Sequence, residues 1–396
     1  MKRYEKYKPS GIEWLGEIPE NWEVKRVKDL GEYQSGYFID ANEFDNDNNY
    51  PVFGGNGLRG YSSKFNHNGE YILIGRQGAL CGNVNFARGK FWATEHAVVV
   101  YNRLNVHKRW YAFLLDVMNL NQYAISAAQP GLSVDKVKRL MLPFLEFKKQ
   151  ETIANYLDKK TTVIDRKIEL LTAKTAKYKA LRRNLINETV CRGLNPNVLL
   201  KNSGVEWIGM IPEHWEVKRV KEIFYIGRGR VIGQDELVDD SKYPVYSSQT
   251  ENNGCLGYID TFDFNATLLT WTTDGANAGT LFKREGKFNC TNVCGTLKPK
   301  KRKENLDFIL YALQIAAKHN KRIDTNGAKI MNNEMSVIPL LYPPLEEQTA
   351  IANYLDEKIT QIDTILTNIG EQIAKLTQLR KTLINDVVTG QLKVTD

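Results

Sequence analysis

Two glycine-rich stretches of the chain carry side chains that can hydrogen-bond to the edges of DNA bases. They are FGGNGLRGYSSKF at residues 53–65 and YSSQTENNGCLGYI at residues 246–259. Glycine lets a backbone approach a ligand closely, and Asn, Gln, Arg and Lys can form paired hydrogen bonds with adenine or guanine in the major groove. The candidate base-contacting residues are Asn56, Arg59, Tyr61, Ser62, Lys64, Ser247, Ser248, Gln249, Asn252, Asn253 and Tyr258.

A second pair of stretches adds basic side chains that suit contacts with DNA phosphates. GRQGALCGNVNFARGKF begins at Gly75, and TTDGANAGTLFKREGKF begins at Thr272. Phosphate contacts fix the register of a protein on DNA without reading its sequence. The alternative is that these are ordinary β-turn loops with solvated charges, and loop chemistry alone leaves both open. The candidates for phosphate contacts are Arg76, Arg88, Lys90, Lys283, Arg284 and Lys287. The same stretches also hold the candidate DNA-binding residues Gln77, Asn83, Thr273, Asp274 and Asn277, among which Asp274 is predicted to be a polar reading residue.

The motifs of common catalytic sites are missing from the sequence. The segments 82–90 and 279–287 each begin with Gly and end in Gly-Lys, but they lack the glycine spacing and the following Ser or Thr of a phosphate-binding P-loop. NPNV at 195–198 lacks the second Pro and the aromatic residue of the NPPY tetrad of adenine methyltransferases. The five histidines have no metal-binding spacing. We therefore predict no catalytic residues, no cofactor and no metal site.

The composition is that of an ordinary globular chain with a basic balance. The 396 residues are 42% hydrophobic and 25% charged, with a formal net charge of +8. A positive balance is compatible with a polyanionic partner but does not identify one. No run of about 18 apolar residues suggests a membrane span, and the N-terminal residues lack the apolar segment of a secretory signal. We expect a cytoplasmic protein without membrane contact, whose five cysteines are reduced.

The chain is a tandem repeat. SGIEWLGEIPENWEVKRVK at 10–28 matches SGVEWIGMIPEHWEVKRVK at 203–221 at 15 of 19 positions. IANYLD recurs at 153–158 and 351–356, whereas the regions between these tracts have diverged. Two copies that keep the same flanking tracts but differ in the regions between them suggest one scaffold that is used twice to read two different targets. The alternative is that surface loops drift while cores do not.

Each repeat ends in a segment with the pattern of a long helix. Residues 151–190 and 345–388 contain no Pro and place apolar residues at spacings of three and four, as in a coiled-coil seam. A helix of roughly 40 residues reaches about 60 Å, so two such helices most simply pair with each other. An antiparallel pair predicts globular units at opposite ends of a rod. The middles, 20–142 and 213–340, are expected to be mixed α/β or mostly β, with helices near 108–120 and 305–319.

Several segments resemble the specificity subunit of type I restriction-modification enzymes. They are the doubled Trp-rich tract, QPGLSVDKVKRLMLP at 129–143, PPLEEQTAIANYLDEKITQID at 343–363 and LRKTLINDVVTGQL at 379–392. The resemblance covers essentially the whole chain. The first copy, FLEFKKQETIANYLD, departs from this pattern at the start of its helix, because it lacks the paired prolines and the second acid.

The resemblance implies an α+β fold with an internal pseudo-twofold repeat. It implies two mixed α/β target-recognition domains separated by a pair of long helices that form an antiparallel coiled coil. The implied partners are double-stranded DNA, two methyltransferase (modification) subunits that hold S-adenosylmethionine, and restriction subunits that translocate and cut DNA. The predicted parts are recognition domains at 1–145 and 193–342 and long helices at 146–192 and 343–396.

The predicted function is a non-catalytic subunit that reads a bipartite DNA site, one half per recognition domain. Two alternatives stay open: a self-contained DNA-modifying enzyme, and a coiled-coil scaffold that does not touch DNA. The Trp-rich tract is expected to join each recognition domain to the end of a long helix. The same argument predicts that Met1 and Asp396 lie at the same end of the rod.

Overall fold

The fold is described from a computed structural model, which covers residues 2–44, 50–78, 80–125, 131–301, 304–324 and 327–394. It divides into two compact units of mixed helix and strand. Unit 1 holds residues Met1–Thr172 and Gly370–Asp396, and unit 2 holds Ala173–Ile369. Each long helix therefore contributes one part to each unit. Gln129 and Pro130, which begin the QPGLSV segment, lie outside the described residues.

Unit 1 is built around a six-stranded sheet in the order β4-β9-β7-β8-β5-β6. Its strands are β1 (Tyr7–Ile12), β2 (Leu15–Pro19), β3 (Glu23–Arg26), β4 (Gly31–Ser35), β5 (Tyr50–Gly54), β6 (Gly57–Ser62), β7 (His67–Gly75), β8 (Val84–Ala93), β9 (Ala97–Asn102), β10 (Ala124–Ile125), β11 (Gly131–Leu132) and β12 (Met141–Phe144). Its helices are α1 (Lys108–Val117), α2 (Val134–Arg139), the first part of α3 (Phe147–Arg192) and the last part of α7 (Leu345–Val388).

Unit 2 has two four-stranded sheets, β16-β23-β20-β21 and β18-β17-β22-β19. Its strands are β13 (Leu200–Asn202), β14 (Met210–Pro212), β15 (Glu216–Arg219), β16 (Phe224–Arg228), β17 (Tyr243–Tyr246), β18 (Cys255–Ile259), β19 (Phe264–Asn265), β20 (Leu268–Thr272), β21 (Leu281–Arg284), β22 (Lys287–Cys290), β23 (Cys294–Pro299), β24 (Arg322–Asp324), β25 (Gly327–Lys329) and β26 (Pro339–Tyr342). Its helices are α4 (Val220–Ile223), α5 (Leu306–Asn320), α6 (Asn332–Val337), the last part of α3 and the first part of α7 (Leu345–Val388).

The two units share their pairing pattern. In unit 1, β5 pairs with β6 in antiparallel and with β8 in parallel, and in unit 2, β17 pairs with β18 and β22 in the same two ways. Helix α1 packs on the six-stranded sheet of unit 1 and α5 packs on the β16-β23-β20-β21 sheet of unit 2. The buried Trp110 of α1 and Phe308 of α5 lie in the two cores. Asn305 caps α5 by accepting hydrogen bonds from the N–H groups of Asp307 and Phe308, at 3.1 and 3.0 Å. The predictions of helices near 108–120 and 305–319 are confirmed.

A buried glutamine fixes the start of each long helix. Gln150 accepts a hydrogen bond from the N–H of His107 at 2.8 Å, and Gln348 accepts one from Asn305 at 3.1 Å. Each side-chain amide also donates to a carbonyl just before its helix, from Gln150 to Leu145 at 2.7 Å and from Gln348 to Pro343 at 2.9 Å. Because this device is the same in both units, α3 begins normally although its first residues lack the paired prolines.

In both units a Trp from the repeated tract packs against a glycine at the end of a long helix. Gly390 follows α7 with φ of +81°, and a Cβ added to it would lie 3.2 Å from the Trp22 ring. Gly193 follows α3 with φ of +75°, and its Cβ would lie 3.1 Å from Trp215. Glycine adopts this left-handed conformation without steric cost, so the helix stops there and the chain turns onto the tract. The prediction that the tract is a joint is confirmed.

The described residues nearest the two ends of the chain also meet in unit 1. The N–H of Lys393 donates to the carbonyl of Lys2 at 2.8 Å, and the Tyr7 hydroxyl donates to the carbonyl of Gly390 at 3.1 Å. Met1 and Asp396, named in the prediction, lie outside the described residues. All five cysteines are free thiols. Within the described part of the chain, no helix is long and apolar enough to cross a membrane.

Candidate nucleic-acid interface

The loops predicted to read DNA in unit 1 converge at one place on the sheet. The Arg76 guanidinium donates to the Ser35 hydroxyl at 3.1 Å, and the N–H of Arg76 donates to the carbonyl of His96 at 2.8 Å. The Asn83 amide donates to the Asn56 amide oxygen at 3.3 Å. We call this region the first edge, and it comprises Ser35, His96 and residues 54–57, 75–77 and 82–85.

Glycines allow the loops of the first edge to pack this tightly. A Cβ on Gly75 would lie 2.0 Å from the carbonyl oxygen of Gly55, and one on Gly55 would lie 2.9 Å from that of Gln77. Four predicted site residues therefore come together with exposed side chains: Asn56, Arg76, Gln77 and Asn83. They offer amide and guanidinium groups of the kind that pair with base edges.

The other predicted residues of unit 1 lie on β6 or away from the first edge. Arg59 and Tyr61 are exposed on β6, and the Arg59 guanidinium stacks 5.5 Å from the Phe44 ring. Lys64 forms an ion pair with Glu43, and Arg88 forms one with Glu70 at 3.2 Å, several residues along β8 from the loop.

Ser62 corrects the prediction for unit 1. Its side chain is buried, and its hydroxyl accepts a hydrogen bond from the N–H of Lys64 at 3.2 Å. The strand alternates its side chains between two faces, so a polar residue here can point inward. Ser62 shapes the turn after β6 and is not placed to contact DNA.

A corresponding set of loops converges in unit 2. The Thr291 hydroxyl donates to that of Ser247 at 3.1 Å, and the Asn277 amide donates to the Thr250 hydroxyl at 3.3 Å. The N–H of Thr273 donates to the carbonyl of Val293 at 3.1 Å. We call this region the second edge, and it comprises residues 246–254, 273–277 and 291–293.

Most predicted residues of unit 2 lie in the second edge, in different states. Asn252, Asn253 and Asn277 are exposed, whereas Ser247, Ser248, Gln249 and Asp274 are half-buried. The Gln249 amide donates to the carbonyl of Cys255 and so holds the loop. Asp274 pairs with Lys329 through the backbone. Tyr258 is exposed on β18, beyond the loop.

Three predicted contacts of unit 2 are corrected by the structure. Thr273 is buried, and its hydroxyl donates to the carbonyl of Val293 at 3.1 Å. Lys283 donates to both carboxylate oxygens of Asp307, at 2.9 and 3.0 Å, and these hydrogen bonds raise the pKa of Lys283. Arg284 is only 2% exposed, so it cannot reach a phosphate on the surface.

Arg284 is unusual because its charge is buried and, among the residues that the structure describes, it forms no ion pair with Asp or Glu. Its guanidinium stacks 3.6 Å from the Tyr246 ring and 4.3 Å from the Phe282 ring. Its Nε donates to the Thr270 hydroxyl at 3.3 Å, but among the described residues neither Nη atom has a hydrogen-bond partner. Loss of hydration lowers the pKa of Arg284.

Sequence reasoning missed an aromatic pair beside the first edge. Tyr37 and Phe38 follow Ser35 closely and are 64% and 71% exposed. At the equivalent place in unit 2, Arg230 is held by Glu236 at 2.8 Å and Asp263 at 3.2 Å. The hydrogen bond that Arg230 donates to the Glu236 carboxylate raises the pKa of Arg230. A Gly-Tyr-Phe run within a polar, turn-rich segment is the signal that could have revealed the pair.

Neither edge has the donor set of a metal centre. Within the residues that the structure describes, no three His, Cys, Asp or Glu side chains lie close enough together to hold a metal ion. The side chains at the edges are mainly amides, hydroxyls and guanidinium groups, which recognise a ligand by hydrogen bonding.

Two long stretches of the chain match one family model. The model is described as the type I restriction modification DNA specificity domain, and it matches residues 19–178 and 212–375. The two matches together cover most of the chain, and each includes one of the two edges. The resemblance inferred from sequence motifs is confirmed.

Curated relatives match different shares of the chain. The EcoprrI specificity subunit of Escherichia coli is 49% identical over 127 residues, which are 32% of this chain and 32% of the relative. A putative type I specificity subunit of Mycoplasma pneumoniae, S.MpnORF365P, is 35% identical over 227 residues, which are 57% of this chain and 78% of the relative. The chain thus spans about a third of the length of the first relative.

Solved structures show the same fold over nearly the whole chain. One from a study of complex assembly and conformational transition of the type I restriction-modification system has a TM-score of 0.71 at 13% identity, covering 95% of this chain and 99% of that chain. The specificity subunit from Mycoplasma genitalium has a TM-score of 0.50 at 18% identity, with 95% and 97% covered. At these identities the likeness establishes the fold alone.

Proposed function

The chain belongs to the type I restriction modification DNA specificity domain family, and from this premise we propose that it is the sequence-reading subunit of a type I restriction-modification complex. It reads a bipartite DNA site, with one half recognised by each of two domains. The domains are residues 1–145 and 193–342, and the long helices are residues 146–192 and 343–396.

The observation that carries the proposal is that two family domains in one chain have edges of the same construction and different chemistry. The first edge offers Asn56, Arg76, Gln77 and Asn83, whereas the second offers Asn252, Asn253 and Asn277. Base recognition depends on which donors and acceptors face the groove. Two edges with different side chains are what a reader of two different half-sites needs.

We assign the chemistry of the complex to its partners. The sequence carries no motif for S-adenosylmethionine binding, phosphate transfer or DNA hydrolysis, and neither edge has a catalytic constellation among its described residues. We propose that two modification subunits bind this chain and methylate the site, and that restriction subunits join through the same complex. The chain itself then supplies binding and no catalysis.

We further propose that the two long helices form an antiparallel coiled coil with pseudo-twofold symmetry. The support comes from two ion pairs. Within unit 1, Arg380 bonds Asp165 at 2.8 Å, and within unit 2, Arg182 bonds Asp363 at 3.0 Å. The two Asp residues occupy equivalent positions of the repeat, and so do the two Arg residues. The same contact thus occurs twice with the roles of the helices exchanged.

An exchange of one recognition domain tests the proposal. The chain is co-expressed with its modification subunits, and methylated adenines are mapped across the host genome. Replacing residues 20–142 with the corresponding segment of another family member should change only one half of the mapped site, and replacing residues 213–340 should change only the other half.

Three outcomes would contradict the proposal. A change in both halves after a single exchange would disprove modular reading. Methylation or cleavage by the purified chain alone would favour a self-contained enzyme. Binding to DNA without salt dependence or sequence preference, measured on the complex, would favour a scaffold that does not read DNA.

A further inference from the structure

The loop at the centre of the second edge has an uncommon backbone. Asn252 and Asn253 adopt φ/ψ angles of 47/39° and 55/32°, and Gly254 follows with φ of +77°. Three successive residues are therefore left-handed. Residues with a Cβ disfavour this conformation, and Asn tolerates it as single residues more often than in runs.

Steric fit does not explain the choice of asparagine at these positions. Glycine adopts the same angles without a Cβ clash, and glycine already stands at 254. The side chains of Asn252 and Asn253 are exposed, and in the part of the chain that the structure describes neither carboxamide makes a hydrogen bond. The two Asn residues adopt a backbone conformation that glycine would adopt more easily, and their amides add no hydrogen bond within the described loop.

The loop is nonetheless held firmly from its sides. The N–H of Ser247 donates to the carbonyl of Gly254 at 3.0 Å, and the Gln249 amide donates to the carbonyl of Cys255. The Asn277 amide fastens Thr250 at 3.3 Å. These contacts fix the backbone on both sides of the two asparagines.

The loop also rests on the buried Arg284. A Cβ added to Gly254 would lie 2.9 Å from Nη2 of Arg284, so the guanidinium lies directly beneath the end of the left-handed run. In unit 1 the repeat places the small, buried Ala87 at the position of Arg284. There the strands β5 and β6 are joined by only Gly55 and Asn56. The longer loop and the buried Arg284 beneath it therefore occur together in unit 2, and unit 1 has neither.

Building on the proposed function, we propose that Asn252 and Asn253 determine sequence specificity by reading adenine in the half-site of the second recognition domain. A carboxamide can accept a hydrogen bond from adenine N6 through Oδ1 and donate one to adenine N7 through Nδ2. The left-handed backbone, held from both sides, fixes the direction in which the two exposed side chains leave the loop. Arg284 acts as a positioning residue, beneath the loop and out of reach of DNA.

The test uses a variant that keeps the backbone and removes the amides. The double variant Asn252→Gly/Asn253→Gly is prepared in complex with the modification subunits, together with each single variant. The matched control is Asn119→Gly, because Asn119 is also exposed and left-handed, with φ of 47°, but lies in unit 1 between α1 and β10. Each complex is titrated with duplex DNA that contains the mapped site.

The double variant should bind this DNA about fivefold to a hundredfold more weakly, as expected for the loss of a paired contact to a base. 7-Deazaadenine, which lacks the N7 acceptor, should weaken binding of the wild-type complex at one adenine of the second half-site and have no further effect on the variant. The first half-site should be read as before. The thermal unfolding midpoint should stay equal or rise in all Gly variants.

The inference would be overturned if the double variant still distinguished the correct base from the other three at every position of the second half-site. A lower unfolding midpoint in the Asn252 and Asn253 variants than in Asn119→Gly would also overturn it, because the amides would then have a structural role. If the wild-type complex showed no sequence selectivity at all, the proposed function would fail and this inference with it.

Discussion

The joints of the two units differ in the hydrogen bonding of their tryptophans. In unit 2 the indole N–H of Trp215 donates to Glu347 at 3.0 Å. In unit 1 the indole nitrogen of Trp22 is buried and has no partner among the described residues. The repeat places Lys149 where unit 2 has Glu347, and a lysine cannot accept this bond. The packing of the joint is kept in both units, while its polar contact survives in one.

The edges differ far more than the joints. At equivalent positions unit 1 buries Ala87 and unit 2 buries Arg284. Unit 1 has a short glycine-containing turn between β5 and β6, whereas unit 2 has a longer, left-handed loop between β17 and β18. The residues of the joints, which pack against the long helices, therefore differ less between the two units than the residues of the edges do. Surface loops generally vary more than the elements that hold them, and the two units follow this pattern.

The largest effect is expected from closing the space at the joint of unit 1. Gly390→Ala places a Cβ 2.4 Å from Cδ of Pro19 in a left-handed conformation, so it should lower the free energy of unfolding by about 3 kcal/mol. Gly193→Ala should lower it by about 1–2 kcal/mol, since the Trp215 ring lies farther away, at 3.1 Å. Urea denaturation measures both. Equal costs would mean that the two joints are equally tight.

The next effect isolates the indole hydrogen bond. Trp215→Phe loses ring volume and the bond to Glu347, whereas Trp22→Phe loses ring volume alone. Trp215→Phe should therefore be more destabilising by about 1–2 kcal/mol, measured by urea denaturation of both variants. A larger cost for Trp22→Phe would show that the indole N–H of Trp22 does have a partner.

A smaller effect is expected from removing the buried charge of unit 2. Arg284→Met replaces an unpaired buried guanidinium with an apolar side chain of similar length. The free energy of unfolding should be unchanged or higher by about 1 kcal/mol, because the cost of desolvating the charge disappears. Thermal unfolding of Arg284→Met is compared with that of Arg230→Met, which removes an exposed, ion-paired arginine. A strong loss in Arg284→Met alone would mean that the guanidinium stabilises the fold.

The smallest effect is expected from restoring the missing acceptor of unit 1. Lys149→Glu supplies a carboxylate where Glu347 stands in unit 2, so it should raise the free energy of unfolding by about 0.5–1 kcal/mol. The same change in the background of Trp22→Phe is the control, and there the gain should vanish. A gain that persists in the control would come from another contact of the new carboxylate.

The elements with strong periodicity could be predicted from the sequence, and the long helices are the clearest case. The spacing of apolar residues in 345–388 sufficed for α7, and the repeated tract sufficed for the joints. The burial of Arg284 could not be predicted, because the charged sequence KRE at 283–285 is typical of a solvated turn. Its burial depends on tertiary packing against the Tyr246 and Phe282 rings. The same holds for Ser62, whose inward orientation depends on the register of β6.

The candidate site was predicted more coarsely than the fold. Loop composition identified the first and second edges, because glycine and amide side chains mark turns that can approach a ligand. Which residues face outward depends on backbone angles such as those of Asn252 and Asn253. Those angles follow from the contacts of Ser247, Gln249 and Arg284 with the loop, which are tertiary and leave no periodic signal.

The ion pairs of the long helices have a consequence for each half of the chain. Asp165 and Arg182 both lie on α3, and Asp363 and Arg380 both lie on α7. Each helix therefore carries both members of the pair. A half-length chain with one such helix contains both groups of the ion pair, so two copies of it can form both contacts in a symmetric homodimer.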